Sequence, residues 1–134
     1  NGDTEIEDGS GDIQVTDINN LLTVDDGSGE LIIRNVKGNV TINDSSGDCL
    51  VEDISGSIKI DDGSGELVVK QVSGKVQVVD GSGDLLIQNV MDKVTVDDGS
   101  GDITILGSGG FKLLDDGSGD LKLKDVKGEV EIDS

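Results

Sequence analysis

Carboxylate side chains recur along this chain at a fixed spacing, and they are the residues with the clearest chemical potential. A tetrapeptide that begins with Asp and ends with Gly returns every 18 residues, as Asp-Gly-Ser-Gly at Asp8, Asp26, Asp62, Asp80, Asp98 and Asp116 and as Asp-Ser-Ser-Gly at Asp44. A further acid follows each copy, at Asp12, Glu30, Asp48, Glu66, Asp84, Asp102 and Asp120. Calcium takes carboxylate and carbonyl oxygens as ligands, so calcium binding is the first chemistry to consider.

Stacking of the 18-residue units would bring equivalent acids into columns about 4.8 Å apart. Another acid precedes five of the tetrapeptides, at Glu7, Asp25, Asp61, Asp97 and Asp115, which makes 19 carboxylates expected along one edge. Like charges at this spacing repel, so the edge either raises the pKa of its carboxyl groups or gathers cations. The residues expected to bind calcium are Asp26, Glu30, Asp62, Glu66, Asp80, Asp84, Asp98, Asp102, Asp116 and Asp120.

The same acids have a second interpretation, in which they bind no metal. The leading Asp of each tetrapeptide can accept hydrogen bonds from backbone N–H groups of its own turn. The remaining acids can be solvated charges that discourage sheet edges from pairing. Calcium-binding nonapeptide repeats are superficially similar, but here Asp follows Gly directly and Gly-Ser-Gly occurs only in alternate halves of each unit. Both interpretations stay open at the level of sequence.

The segments between the tetrapeptides alternate apolar and polar residues with the period of a β-strand. Each 18-residue unit holds two such segments, and each ends in Asn or Asp and Gly, which favour tight turns. An amphipathic helix would space apolar residues by three and four, and independent hairpins would not return the same residue types at a constant interval. We therefore predict one all-β domain over residues 1–134: a two-sided parallel β-solenoid of about seven coils, 18 residues per coil, wound right-handed.

Five columns of aliphatic residues are expected to fill the interior of this solenoid, and they are interrupted near residues 107–110. Ser108 takes the place of a valine that recurs at one turn. Lys112 falls in the core column of Val94, and Leu114 falls in the core column of Val96. We expect a local bulge there. Cys49 also falls in a core column, which predicts a small buried hydrophobic residue rather than a reactive thiol.

Four aliphatic residues fall between two core columns of one strand and should therefore point outward: Ile32, Leu50, Val68 and Leu86. The equivalent column of the other strand is polar, with residues such as Thr41 and Lys59. Stacked aliphatics on an outer face indicate a contact surface, and a copy of the same chain is the expected partner. The alternative is that these are scattered surface residues that simply favour strand formation.

Composition narrows the classes of function. A formal net charge of −19 opposes binding to nucleic acids and anionic membranes, and no apolar run approaches the length of a membrane span. The chain contains no His and one Cys, so histidine acid–base chemistry and an internal disulfide framework are excluded. The carboxylates repeat identically on every coil, and no inserted loop builds a pocket. We therefore expect neither catalysis nor a cofactor other than calcium.

The runs DGSGELVVKQVSGKVQVVDGSGDLLI and DGSGDLLIQNVMDKVTVDDGSGDITI resemble the adhesin-like repeat domains of bacterial cell-envelope proteins. That family repeats Gly-Ser-Gly-Asp, an alternating strand and Val-x-Gly. The resemblance implies a β-solenoid of the cell envelope or exterior, with no catalytic residues and a biochemical role that is largely undefined. Bactofilins, which polymerise end to end, are a more distant likeness because they do not share the Asp-Gly-Ser-Gly repeat.

The sequence thus predicts a structural, non-catalytic rod of the cell exterior that associates end to end into a fibre, with a cell-surface or matrix molecule as a further partner. One alternative is a calcium-responsive binding module, and another is a passive rigid spacer within a longer envelope protein. Residues 1–7 align with residues 19–25, so the chain is expected to open in the middle of a coil. Its ends are therefore expected either to continue in a longer protein or to be covered by another chain.

Overall fold

The computed structural model describes residues 4–116 and 119–132, and all regular structure in these ranges is β-strand. Among the described residues, no helix has the length and hydropathy needed to cross a bilayer. Fifteen strands follow one another along the chain: β1 (Thr4–Asp8), β2 (Ile13–Ile18), β3 (Leu22–Asp26), β4 (Leu31–Val36), β5 (Val40–Asp44), β6 (Cys49–Ile54), β7 (Ile58–Asp62), β8 (Leu67–Val72), β9 (Val76–Asp80), β10 (Leu85–Val90), β11 (Lys93–Asp98), β12 (Ile103–Ser108), β13 (Gly110–Asp116), β14 (Leu121–Val126) and β15 (Val130–Ile132).

Successive strands alternate between two parallel sheets. The odd-numbered strands form an eight-stranded sheet in the order β1-β3-β5-β7-β9-β11-β13-β15, and the even-numbered strands form a seven-stranded sheet from β2 to β14. Residues 18 apart pair across each sheet, as Leu31 does with Cys49. These observations confirm the all-β parallel solenoid of about seven coils with 18 residues per coil. Its handedness stays a prediction.

One residue near the end of each even-numbered strand turns the chain through a left-handed conformation. These residues have φ between 55° and 60°: Asp17, Asn35, Asp53, Gln71, Asn89 and Asp125. The cross-strand pairing skips this position, because Arg34 pairs with Glu52 and the next pair is Val36 with Ile54. Asn and Asp tolerate this conformation better than most residues. The kink returns Val36 to the interior, where it is completely buried.

The core consists of the predicted aliphatic columns, two from each sheet and one from this turn. Leu31, Ile33 and Val36 are buried on the seven-stranded side, and Val40 and Ile42 are buried opposite them. Burial of each such side chain contributes roughly 1.5–3 kcal/mol before conformational entropy is subtracted. The outermost described strand behaves differently. Val130 and Ile132 on β15 were predicted to be buried but are 47% and 53% exposed, since β15 is paired on one side only.

The predicted irregularity is present, but its details differ from the sequence alignment. Phe111, not Lys112, pairs with Val94 and is completely buried, while Lys112 pairs with Thr95 and faces outward. The turn after Ser108 is one residue shorter than the other turns, which advances the chain by one position. A bulge in β13 opposite Val96 and Asp97 then restores the original pairing.

The bulge also corrects the expected position of Leu114. Leu113 pairs with Val96 in the core, and Leu114 is the extra residue, 40% exposed to solvent. The predicted core positions of Lys112 and Leu114 are therefore wrong. The one-residue deletion and the one-residue bulge cancel, so the 18-residue spacing of the tetrapeptides conceals both.

The last glycine of each tetrapeptide is required by the contact between coils. Gly65 has φ +111°, and a β-carbon added to it would lie 2.0 Å from the carbonyl oxygen of Gly47 in the preceding coil. The same contact recurs at Gly83 against Gly65. Backbones of successive coils therefore touch along a column in which only glycine fits.

We expect Gly65→Ala to lower the free energy of unfolding by at least about 2 kcal/mol, because the new methyl group meets backbone atoms and φ is unfavourable. Gly9→Ala is the matched control, since a β-carbon there has no atom within 4 Å. Urea denaturation of both variants measures the difference. Equal stabilities would show that the coils can separate to admit a side chain.

Candidate functional site

The leading aspartates of the tetrapeptides point into the solenoid. Asp26, Asp44, Asp62 and Asp80 are 0–1% exposed, and we call them the internal aspartate column. Each is the last residue of its odd-numbered strand and follows two buried aliphatic residues in the alternating pattern. Adjacent members are paired across the sheet, as Asp44 is with Asp62.

The acids that follow the tetrapeptides form a separate, exposed acid column: Asp12, Glu30, Asp48, Glu66, Asp84, Asp102 and Asp120. Its aspartates connect neighbouring coils. The Oδ1 atom of Asp48 accepts a hydrogen bond from the backbone N–H of Glu66 at 3.2 Å, and Asp102 accepts one from Asp120 at 3.0 Å. These side chains therefore satisfy backbone donors of the next coil while remaining in contact with solvent.

The acids that precede the tetrapeptides belong to neither column. Glu7, Asp25, Asp61 and Asp97 alternate with buried residues and lie on the outer face of the eight-stranded sheet. The single edge of 19 carboxylates predicted from the sequence is therefore wrong. The acids divide into an internal column, an exposed turn column and an outer sheet face, because strand alternation continues through the first residue of the tetrapeptide.

Burial of the internal column has an electrostatic consequence. The pKa of Asp44 rises from its ordinary value of 3.8 to about 7, chiefly because burial removes water and secondarily because Asp26 is nearby. Burial and the proximity of Asp44 raise the pKa of Asp62 to about 7 in the same way. The amides of Ser46 and Ser64 partly oppose these rises.

Both carboxyl oxygens of Asp44 and of Asp62 lie out of contact with solvent. Although the Ser46 and Ser64 amides are close enough to favour the ionised forms, their geometry falls short of full hydrogen bonds. A buried carboxylate without a close partner costs several kcal/mol, so these groups must be neutralised by a proton or a cation. The internal column is thus the one place where the fold buries groups that titrate near neutral pH.

Cys49 lies on β6, across the core from this column, and is 2% exposed. Burial raises the pKa of its thiol well above the usual range, and the nearby Asp44, Asp62 and Asp26 raise it further. The thiol therefore stays protonated and shielded. The prediction that Cys49 is a buried hydrophobic residue is confirmed.

The residues predicted to bind calcium fall into different environments. Asp26, Asp62 and Asp80 are internal, whereas the exposed acid column holds Glu30, Glu66, Asp84, Asp102 and Asp120. The side chains of Asp98 and Asp116 lie outside the described residues. Within the described part of the chain, no group of three or more Asp, Glu or Cys side chains converges as a metal site requires. Calcium binding stays a prediction.

The four outward aliphatics stack as a continuous stripe on the seven-stranded sheet. Leu50 pairs with Ile32 on one side and Val68 on the other, and Leu86 pairs with Val68. All four are half-buried. Gln14 and Thr104 end the stripe at its two extremities. Beside it, the Nε atom of Arg34 lies 3.8 Å from Oε1 of Glu52.

An open groove of about 930 Å³ lies beside the irregular coil, and sequence analysis did not predict it. Its lining includes Met91, Ser108 and Lys124. Met91 is 78% exposed, whereas Ser108 is buried with its hydroxyl group lacking a hydrogen-bond partner. The replacement of the turn valine by Ser108 was the only sequence signal at this place.

The repeat, the two parallel sheets and the internal column lie within one region that matches a family model, residues 2–113. This chain belongs to the Toastrack DUF4097 family. Comparison with curated proteins and comparison with solved structures each found no match. The Toastrack match establishes a β-solenoid repeat module. It does not extend to the adhesin-like repeats that the sequence resembles, so adhesion stays a prediction.

In this Toastrack solenoid, the pKa values of about 7 for Asp44 and Asp62 predict a stability that depends on pH. Below pH 4 the carboxyl groups are protonated in both the folded and the unfolded chain. Between pH 4 and 7 the unfolded chain releases protons that the folded chain keeps, so the free energy of unfolding falls as pH rises. The loss is complete once the pH has passed through the folded value.

We expect Asp62→Asn to raise the melting temperature at pH 8 and to reduce its decline between pH 5 and 8, because the amide carries no charge to bury. Asp61→Asn is the matched control, since Asp61 is adjacent but exposed on the outer face. Its pH profile should follow that of the natural chain. An Asp62→Asn profile that coincides with the control would show that the internal column is not the source of the pH dependence.

Proposed function

We propose that this Toastrack solenoid is a structural, non-catalytic module of the cell exterior that associates with copies of itself. The observation that carries the proposal is the uniform pairing of residues 18 apart throughout both sheets. Because every coil presents the same ladder of backbone groups on its two edges, the edge of one coil is complementary to the opposite edge of another.

The outermost described strands supply the surface for such joining. Core-type residues are incompletely covered there, including Ile6 and Ile13 at one end and Val130 and Ile132 at the other. In a longer polypeptide, further coils of the same chain would cover these residues. In the 134-residue chain, a second copy would cover them and extend both sheets.

The composition is compatible with this role outside the cell. A high negative charge keeps rods soluble at high concentration, and the buried Cys49 avoids unwanted disulfide exchange. The resemblance to adhesin-like repeats supports a cell-surface or matrix partner and a place in the envelope. A passive rigid spacer is the role that remains if the chain associates with nothing.

We expect the purified chain to gain mass with concentration and to form rods longer than the roughly 35 Å that seven coils span at about 4.8 Å per coil. Light scattering after size exclusion and negative-stain electron microscopy measure these properties. The double variant Val130→Lys, Ile132→Lys should associate less, because it places charges on the surface that joins. Val79→Lys is the control, since Val79 is 40% exposed on a strand in the middle of its sheet.

A chain that stays monomeric at high concentration, with and without calcium, would contradict self-association. If the double variant associates as the natural chain does, joining does not occur through the strand ends. Both outcomes are readable because all three substituted residues are substantially exposed and their replacement leaves the core intact.

Calcium-responsive binding is the second candidate, and the internal aspartate column favours it because buried carboxyl groups require neutralisation by a proton or a cation. If calcium binds, the melting temperature should be higher in millimolar calcium than in EGTA. Asp62→Asn would remove this increase if the internal column is the site, and Glu66→Gln would remove it if the exposed acid column is the site. Equal melting temperatures in calcium and EGTA would exclude the candidate.

A further inference from the structure

The two outer sheet faces carry charges of opposite sign. On the seven-stranded sheet, the aliphatic stripe and the column beside it form a surface that we call the basic face. Its charged side chains are four bases and one acid: Arg34, Lys70, Lys122, Lys124 and Glu52. Asp17, Asp53 and Asp125 lie at the kinked positions along one border and reduce the positive charge there.

The outer surface of the eight-stranded sheet is the acidic face. Its described outward side chains include six acids and two bases: Glu5, Glu7, Asp25, Asp61, Asp97, Glu131, Lys59 and Lys112. One base is already paired, because Nζ of Lys112 lies 3.5 Å from Oε1 of Glu131. A chain with a formal net charge of −19 therefore concentrates basic residues on one face and leaves the opposite face acidic.

Most of the remaining acids lie on neither face. The exposed acid column occupies the turns, and the internal aspartate column is buried. At physiological ionic strength, charges more than about 8 Å apart in solvent are largely screened. Repulsion between the turns of neighbouring rods is therefore weakened, whereas charges on two sheet faces in contact are closer than this distance and act directly on each other.

We propose that the basic face of one molecule packs against the acidic face of a second copy, so that rods associate side by side. This inference rests on the self-association proposed above and adds the surfaces that meet. Charge complementarity identifies the occupant of the stripe as another copy of this chain. Ile32, Leu50, Val68 and Leu86 lie near the centre of the contact, where they lose water.

The dimensions of the faces fit such a contact. Two sheets that pack face to face lie about 10 Å apart, and both faces have the same repeat of about 4.8 Å along the rod. Seven strands of about five residues cover roughly 600 Å² per partner, or about 1,200 Å² in total. This area is at the lower limit of specific interfaces. Because the two surfaces differ, each molecule retains one free face, and association continues into ribbons.

Charge-reversal variants test the pairing of unlike faces. The first variant, Arg34→Glu with Lys70→Glu, makes both faces acidic. The second, Asp25→Lys with Asp61→Lys, makes both faces basic. We expect each variant alone to lose lateral association in 0.15 M salt, and a one-to-one mixture to regain it. Lys59→Glu makes the same type of change on the acidic face and should leave lateral association intact.

Electron microscopy separates the two modes of association, since lateral packing increases particle width and end-to-end joining increases length only. If the second variant alone still forms wide particles, the stripe pairs with its own copy and the inference is wrong. Failure of the mixture to regain width would also overturn it. Natural rods that are long but only one molecule wide would refute the lateral contact and leave the proposed function standing. A chain that is monomeric throughout would refute both.

Discussion

Parallel pairing in steps of 18 residues is the constraint on which the rest of the molecule depends. It places each residue about 4.8 Å from residues at the equivalent position in neighbouring coils. A column of aliphatic residues benefits from this arrangement, because it fills the interior without gaps. A column of charges does not, and each acid column solves the problem differently: the exposed one through solvent and hydrogen bonds to the next coil, the internal one through raised pKa values.

The irregular coil shows how strictly this constraint applies. A shorter turn after Ser108 shifts Phe111 into the core position expected for Lys112. The sheet accepts the shift for three residues, and then the bulge at Leu114 restores the pairing before the next tetrapeptide begins. The large Phe111 and the small Ser108 both occupy positions that hold valine elsewhere, so a gain and a loss of side-chain volume occur in the same coil. The irregularity is therefore confined to one coil and does not propagate.

Sequence alone predicted the strands, the turns, the coil length and most of the core, because each rests on a local period. Leu31 and Ile33 announce a buried strand face, and Gly65 returns with each turn. The same period contained the orientation of Asp62, since Ile58, Ile60 and Asp62 alternate on one face. Its charge led instead to a prediction of exposure. The positions of Phe111 and Leu114 were not predictable in this way, because a deletion and a bulge of equal size leave the spacing unchanged.

The glycine column also bears on how the length of such a molecule can evolve. Duplication of a segment of 18 residues places glycine above glycine again and adds one coil, which lengthens the rod by about 4.8 Å. A duplication of any other length would bring a residue with a β-carbon against the carbonyl oxygen of the coil below. Tandem copying in whole coils is therefore tolerated while other changes of length are penalised, and rod length can vary in discrete steps without altering the surface chemistry of either face.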